Sequence, residues 1–451
     1  MQEGGCVKSS ESERQPASVP AKAKQAGEIR ARWSWVEPTV WTERMLTALE
    51  TGVKGGKWFS LIDKVYAPAT LRAAFEQIKA NRGASGVDHQ TIEMFEAGLA
   101  KNLERLSETL SSGAYRPRPI LRKLIPKPGS KEKRPLGIPT VRDRVVQAAL
   151  QMVLEPIFER DFCQESYGFR PGRGCRDALG RVDALLKRGC TWVVDADLQS
   201  YFDSIEHEHL IELVSQKVTD GRVLDLIKAF LKQEVMETAR SWTPERGTPQ
   251  GAVLSPLLSN IYLDPLDHHM LGSGATMVRY ADDFVILCRT EQEAMQALGR
   301  VERWTSKNGL RLHPEKTHVV DAKGAGGFDF LGYHFERGYR WPRKKSLNKL
   351  KDTIRSKTKR TNGSSLESIV EDVNQTLEGW FVYFKHSHRT TFKPLDQWMR
   401  MRLRSILRKR NGGKGRGRGS DHQRWPNAFF ADVGLFSLAA AHTAACQSSR
   451  R

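Results

Sequence analysis

Two patterns share this chain: helical runs with an apolar residue every three or four positions, and short runs in which apolar and polar residues alternate. Leu71, Phe75 and Ile78 lie on one helix face, followed by the glycine-rich loop "NRGASGVD". In "RPRPILRKLIPKPGSKEKRPLGIPT", Arg116 to Thr140, prolines and glycines bracket short apolar pieces, which predicts a strand, a basic loop and a second strand. Val146, Leu150, Val153, Ile157 and Phe158 return to helical spacing, and "TWVVDADLQSYFDSI" runs from a strand into a helix. Farther on, Leu366, Ile369, Val370, Val373 and Leu377 define an amphipathic helix that leads into "GWFVYF". After it, "WMRMRLRSILRKR" predicts a helix with a basic face, and "NGGKGRGRGS" a flexible basic linker. Residues 1–40 are polar and read as a disordered tail. There is no internal repeat.

One stretch breaks the pattern. "VRYADDFVIL", Val278 to Leu287, sets Asp282 and Asp283 between two apolar runs rich in β-branched and aromatic residues. That predicts a β-hairpin with the acids at its turn. Ionised carboxylates there are costly unless a cation compensates them. The plain alternative is a solvated turn, where Asp is ordinary. A third acid changes the balance. Strand alternation in "TWVVDADL" puts Asp195 and Asp197 on one face, opposite Trp192, Val194 and Ala196. A strand with one acid beside a hairpin with two can gather three carboxylates around divalent cations. Two such cations ~3.5–4 Å apart can activate a 3′-hydroxyl and stabilise a leaving pyrophosphate. Phe202, five residues after Asp197, is placed either to pack beneath an incoming sugar or to fill the core under its helix; spacing leaves both open.

Composition adds a partner. Lys and Arg number 72 against 52 acids, a formal charge of +20. Such a surplus points to a polyanion, since each neutralised phosphate releases counterions. At 451 residues there is room for two or three domains. The six cysteines are scattered without a Cys-x-x-Cys, which argues against a zinc module and fits a reducing compartment. No apolar run nears the ~20 residues that span a bilayer, and the N-terminus has no signal core. The expectation is a soluble, cytoplasmic, nucleoid-associated protein without a membrane partner.

From about Trp58 onward the chain resembles group II intron reverse transcriptases, the intron-encoded reverse transcriptase/maturases. The matching blocks run in order: "LIPKPGSKEKRPLGIPT", "YGFRPGRG", "DADLQSYFDSI", "GTPQGAVLSPLLSNIYLDPLD", "RYADDFVIL", "GLRLHPEKT", "FDFLGYHF" and "GWFVYFKHSH". The resemblance implies an α+β right-hand polymerase, with fingers and an antiparallel-sheet palm over 41–335. A helical thumb/maturase (X) region over 336–410 and a basic DNA-binding tail over 411–451 would follow. Carried over by position, Asp197, Asp282 and Asp283 are the metal ligands, joined by the Leu198 carbonyl, for two Mg2+ ions that Mn2+ can replace. Lys127 and Arg134 match residues that grip the incoming dNTP, Gln250 lies near its sugar and phosphates, and Phe202 holds the steric-gate position. Leu331, Gly332 and Tyr333 resemble the primer grip, and Lys316 is placed to meet a backbone phosphate. Arg170 and Arg173 would face template or primer, and Lys344, Lys345 and Lys349 the nucleic acid. Asp195 and Asp203 are read as structural. The implied partners are group II intron RNA, an RNA template with a DNA primer, target DNA and dNTPs.

Nothing after Leu407 offers paired cysteines with metal-ligand spacing, and His386 and His388 are too close together to suggest a zinc site alone, so no HNH nuclease is expected. Three rivals stay open. One is a reverse transcriptase of another lineage (CRISPR-linked, diversity-generating or retron-type). The others are an RNA-dependent RNA polymerase, which Phe202 disfavours, and an RNA-binding splicing factor without polymerase activity, against which all three acids speak.

Overall fold

A computed structural model describes residues 28–126, 133–238, 240–417 and 419–448. Past shorter helices at Glu43–Thr51 and Ile62–Tyr66 lie α1 (Pro68–Asn81) and α2 (Leu99–Ser111), and Leu71, Phe75 and Ile78 do face the core from α1. The Arg116–Thr140 stretch forms the antiparallel hairpin β1 (Ile120–Pro126) and β2 (Lys133–Ile138). Then come α3 (Val141–Glu159), α4 (Cys175–Lys187), β3 (Trp192–Asp197) and the short α5 (Tyr201–Ser204). Strands β4 (Val235–Glu237) and β5 (Arg240–Trp242) complete the fingers sheet in the order β2-β1-β4-β5.

Helix α6 (Ser255–Leu271) leads into the hairpin β6 (Thr276–Tyr280) and β7 (Asp283–Cys288), followed by α7 (Glu291–Lys307) and β8 (His318–Asp321). Their sheet, ordered β6-β7-β3-β8, is antiparallel throughout. Both of its faces are covered, which is why β7 is apolar at nearly every position. Val194, Ala196, Phe284 and Ile286 join the main core, while Val193, Val285 and Leu287 face a second cluster with α4. That second cluster includes a three-stranded sheet, β9 (Phe328–Phe330), β10 (Tyr333–Glu336) and β11 (Tyr339–Pro342).

The helical half comprises α8 (Lys344–Lys357), α9 (Leu366–Phe384), α10 (Phe392–Arg410) and α11 (Leu438–Ser448). Leu366, Ile369, Val370, Val373 and Leu377 are buried along α9, as their spacing predicts.

Two expected boundaries move. Residues 1–27 lie outside the described part, but the rest of the expected 1–40 tail is packed: Trp33, Val36 and Val40 are buried in the main core beside Trp41. Trp41 also donates its indole N–H to the Met152 carbonyl at 3.0 Å, which docks this segment on α3. Nor is 411 a structural break, because Trp425, Phe430 and Leu438 share a core with α8, α9 and α10. The buried Asp396 of α10 accepts the Leu438 and Ala439 N–H groups at 3.0 and 3.1 Å and the Ser437 hydroxyl at 2.9 Å. One carboxylate thus caps the start of α11 from a neighbouring helix.

Candidate active site

The two acids of the hairpin sit where the pattern predicts. Tyr280 pairs with Asp283 across β6 and β7, and the turn between them holds Ala281 at φ 59°. A non-glycine residue in that left-handed region costs on the order of 1 kcal/mol and persists only where its surroundings enforce it. Here they do. Arg279, fully buried, donates Nη1 to the Ala281 carbonyl at 2.9 Å and to Asn260 Oδ1 at 3.0 Å. Its Nε reaches Asp267 Oδ1 at 2.8 Å, and Nη2 completes the fork on Asp267 Oδ2. From the other side Gly168 presses on the turn so closely that a Cβ there would lie 2.2 Å from the Ala281 nitrogen. Asn260 donates to the Gly168 carbonyl at 2.8 Å, so α6, the 163–170 segment and the turn form one bonded block.

The third acid comes from β3, where Asp197 is the register partner of Asp283. Its backbone carbonyl accepts His313 N–H at 2.8 Å, and Gln199 N–H reaches the Arg311 carbonyl at 2.8 Å. These two bonds carry the bridge between Leu198 and Leu312 and fix the chain beyond Asp197. Burial, then the charges of Asp195, Asp197 and Asp282, push the Asp283 carboxyl up to about 7. Burial and Asp197 raise Asp282 as well, while the field of Arg134 opposes them. The ammonium of Lys316 bonds the Asp197 carboxylate directly. Mutual repulsion between acids held by a rigid strand pair is the signature of a site whose charge balance includes cations. An all-oxygen donor set suits hard divalent ions, and divalent metal use is general to the family described below. These carboxylates do not meet in a single three-donor cluster of the kind formed by Cys163, Asp264 and His268, described below.

Asp195, set aside as structural, belongs to this electrostatic group. It lies on the Asp197 face of β3, 3.8 Å from His318 Nε2, and burial with its acidic neighbours raises it to about 7. Strand alternation already placed it there. Arg279 was missed as well; a charged residue inside the apolar run "MVRY" was the available signal.

Around the acids, the fingers supply Arg134, exposed on β2, whereas Lys127 lies outside the described residues. The Gln250 carbonyl accepts Gly137 N–H at 2.7 Å and ties its turn to β2. Phe202 is half-buried, its ring edge-on to Tyr201 at 5.5 Å, and its carbonyl accepts Thr248 N–H at 2.8 Å. Gly247, at φ 89°, passes so close that a Cβ would lie 2.9 Å from that carbonyl. A cavity of about 430 Å³ opens alongside, lined by Arg122, Asp203, Trp242, Thr248 and Gln250.

Several residues expected at the nucleic acid are engaged within the protein itself. Arg170 is 6% exposed and faces inward: it holds Glu159 at 2.7 Å and the Cys163 and Ser166 carbonyls at 2.5 and 2.8 Å. Arg173 donates to the Gln164 carbonyl at 2.6 Å and lies over the Tyr167 ring, bracing the same segment. Tyr333 is 1% exposed, its hydroxyl bonded to the Tyr383 carbonyl at 2.6 Å. Leu331 and Gly332 form the β9–β10 turn with φ 46° and 83°, but their carbonyls serve the helices. Leu331 accepts from the Tyr383 hydroxyl at 2.7 Å, and Gly332 from Arg343 N–H at 2.9 Å and Ser346 at 3.1 Å. That turn joins palm to thumb rather than presenting a free loop. Lys344, Lys345 and Lys349 are exposed on the first turns of α8, where positive charge opposes the helix dipole. Beyond them Lys351, Arg355 and Arg402 surround the Trp398 ring at 6.0, 5.8 and 5.6 Å. No helix among the described residues is long and apolar enough to cross a membrane.

Residues 125–335 match the Reverse transcriptase (RNA-dependent DNA polymerase) family, and residues 347–425 the Group II intron, maturase-specific domain. Protein YkfC of Escherichia coli is 33% identical over 349 residues, covering 68% of this chain and 86% of that protein. Group II intron-encoded protein LtrA of Lactococcus lactis is 38% identical over 206 residues, 45% of this chain and 34% of LtrA. Nuclear intron maturase 4, mitochondrial, of Arabidopsis thaliana is 31% identical over 215 residues, 47% of this chain and 26% of that protein. A solved Partial Cas6-RT-Cas1--Cas2 complex is 27% identical and covers 55% of this chain and 41% of its own, at a TM-score of 0.36 that carries no weight between lineages. With a palm that pairs Asp197 with Asp283 and a maturase-specific helical half, the chain belongs to the group II intron reverse transcriptase/maturase family, RNA-directed DNA polymerases that carry an intron maturase domain.

Proposed function

We propose that this chain copies intron RNA into DNA at Asp197, Asp282 and Asp283, and that its basic helical half holds that RNA for splicing and mobility. The observation that carries the reading is the β3–β7 register, which sets Asp197 against Asp283 beside the turn that holds Asp282. Two Mg2+ ions, or Mn2+ in their place, would be held by these carboxylates and the Leu198 carbonyl, and would supply an activated 3′-hydroxyl and charge relief for pyrophosphate. Arg134, whose field already reaches Asp282, and Lys127 bind the triphosphate, a role suited to a forked guanidinium and a point charge. Phe202 excludes the 2′-hydroxyl from the sugar site, with Gln250 beside it. Lys316, held by Asp197 in this structure, is free to turn to a backbone phosphate once that carboxylate is otherwise engaged. Lys344, Lys345 and Lys349 contact RNA, and target DNA binds the basic stretch from Trp398 through Arg424.

The test is primer extension on poly(rA) with oligo(dT), Mg2+ and dTTP. Asp282→Asn/Asp283→Asn should abolish extension while intron RNA binding and splicing assistance persist. Extension by that variant would refute the site; loss of RNA binding would refute the division of labour.

A further inference from the structure

Beneath the catalytic turn, away from the three aspartates, lies a second set of donor atoms. Cys163 is buried in the segment that follows α3, and Asp264 and His268 stand one turn apart on α6. One donor atom from each lies within 4.8 Å of the other two, a convergence found in no other group of three among the described residues. His268 Nε2 is 3.5 Å from Asp264 Oδ2 and 3.1 Å from the Asp161 carbonyl. The other Asp264 oxygen, Oδ1, is buried and has no hydrogen-bond partner. A buried carboxylate oxygen without a donor is an unmet cost, and an unseen ion is among its ordinary explanations.

We propose that Cys163, Asp264 and His268 bind one zinc-type divalent cation, which staples the 160–168 segment to α6. The donor types set the class. Thiolate and imidazole beside a single carboxylate suit zinc or cobalt, whereas magnesium and calcium take oxygen. A tetrahedral shell with bonds of ~2.0–2.3 Å sets its ligand atoms ~3.3–3.8 Å apart. Closing from 4.8 Å is therefore a matter of side-chain rotation, for which the His268 ring, 51% exposed, exchanges its contact with the Asp161 carbonyl for the ion. Its open side leaves the fourth position to water. The neighbouring Asp161 carboxylate is not needed, since it already pairs with Lys217 at 2.7 Å.

The placement gives the ion a structural task. One turn along α6 from Asp264 is Asp267, the partner of Arg279, and four residues after Cys163 comes Tyr167, whose N–H bonds the Arg279 carbonyl at 2.9 Å. A cation joining Cys163 to α6 closes the block that supports the catalytic turn without touching the reacting atoms. The inference stands apart from the polymerase reading, because neither the donors nor their test involves Asp197, Asp282 or Asp283.

The experiment uses untagged full-length protein in an Asp282→Asn/Asp283→Asn background, which removes two of the three palm carboxylates that could compete for the ion. Titration with cobalt should give a thiolate-to-metal charge-transfer band in the near ultraviolet that saturates at one equivalent. Cys163→Ser should remove the band, and His268→Ala, at an exposed position that tolerates change, should weaken cobalt affinity about tenfold or more. Zinc should raise the melting temperature of the background protein but not that of its Asp264→Asn variant. Absence of the band, its persistence in Cys163→Ser, or an unchanged affinity in His268→Ala would each overturn the proposal.

Discussion

Replacing Arg279 by methionine tests whether the Ala281 turn, with the proposed catalytic acids Asp282 and Asp283 on it, is held from below. The guanidinium makes four hydrogen bonds, two to Asp267, one to Asn260 and one to the Ala281 carbonyl. Methionine fills similar space but leaves Asp267, 5% exposed, as an uncompensated buried charge. Breaking a buried pair in this way costs about 3–5 kcal/mol, whereas replacing both partners by apolar residues is often close to neutral. Arg279→Met should therefore destabilise the chain by about 3–5 kcal/mol in urea unfolding, and Arg279→Met/Asp267→Leu should recover most of that loss. Activity should not follow stability. Both variants leave the Ala281 carbonyl and Asn260 without their donor, so the left-handed turn that aims Asp282 and Asp283 loses its tether. Primer extension by the double variant should stay at least about tenfold below the parent, the equivalent of about 1.4 kcal/mol in the barrier. Arg279→Lys keeps the charge but not the fork and should fall between the two. If the double variant regains both stability and turnover, Arg279 is only a core ion pair and the positioning argument fails.

Three further outcomes are expected. Phe202→Val should raise the ratio of ribonucleotide to deoxynucleotide incorporation in single-nucleotide extension; an unchanged ratio in a folded variant would make the ring a core residue only. Neutralising Lys344, Lys345 and Lys349 together should reduce the slope of log affinity for intron RNA against log salt by about 0.7–0.9 per lost phosphate contact, and an unaltered slope would place the RNA elsewhere. Burial raises Glu155 on α3 from 4.5 to about 7, against a weak Gln151 hydrogen bond and with the help of Glu159. A raised carboxyl costs stability as pH climbs past its unfolded value and costs most above about 7. Glu155→Gln should thus add about 1–3 kcal/mol at pH 8, less than the full shift because the residue keeps some solvent contact, and add little at pH 4.5; urea midpoints across that range decide it.

The elements that the chain announced are those whose signal is local. Alternation in "TWVVDADL" and the acids between apolar runs in "VRYADDFVIL" placed Asp197 on one strand and Asp282 and Asp283 at the turn of the hairpin beside it, because register follows from the buried face. The apolar stripe of α9 was equally legible. What stayed hidden depended on partners distant in sequence. Arg170 reads as a cation facing template or primer until Glu159 is seen folded back onto it, and Tyr333 reads as part of a primer grip until α9 covers it. Trp33, Val36 and Val40 follow directly on a long polar stretch and read as part of it, and only docking against α3 shows that they belong to the core. Cys163 seemed isolated because its neighbours, Asp264 and His268, lie about a hundred positions away.

The Asp396 cap bears on how ablation experiments on this chain are designed. Cutting the chain before Ser437 to probe target-site recognition would do more than delete a surface. It would strand a carboxylate whose three donors, Ser437, Leu438 and Ala439, had been removed, and it would open the apolar seam that Leu438 fills. A shortened protein that fails to insert its intron would then be reporting a slackened thumb, and the phenotype would be mistaken for a lost address label. Point changes on the outward basic positions, with Asp396 and the final helix intact, separate the two.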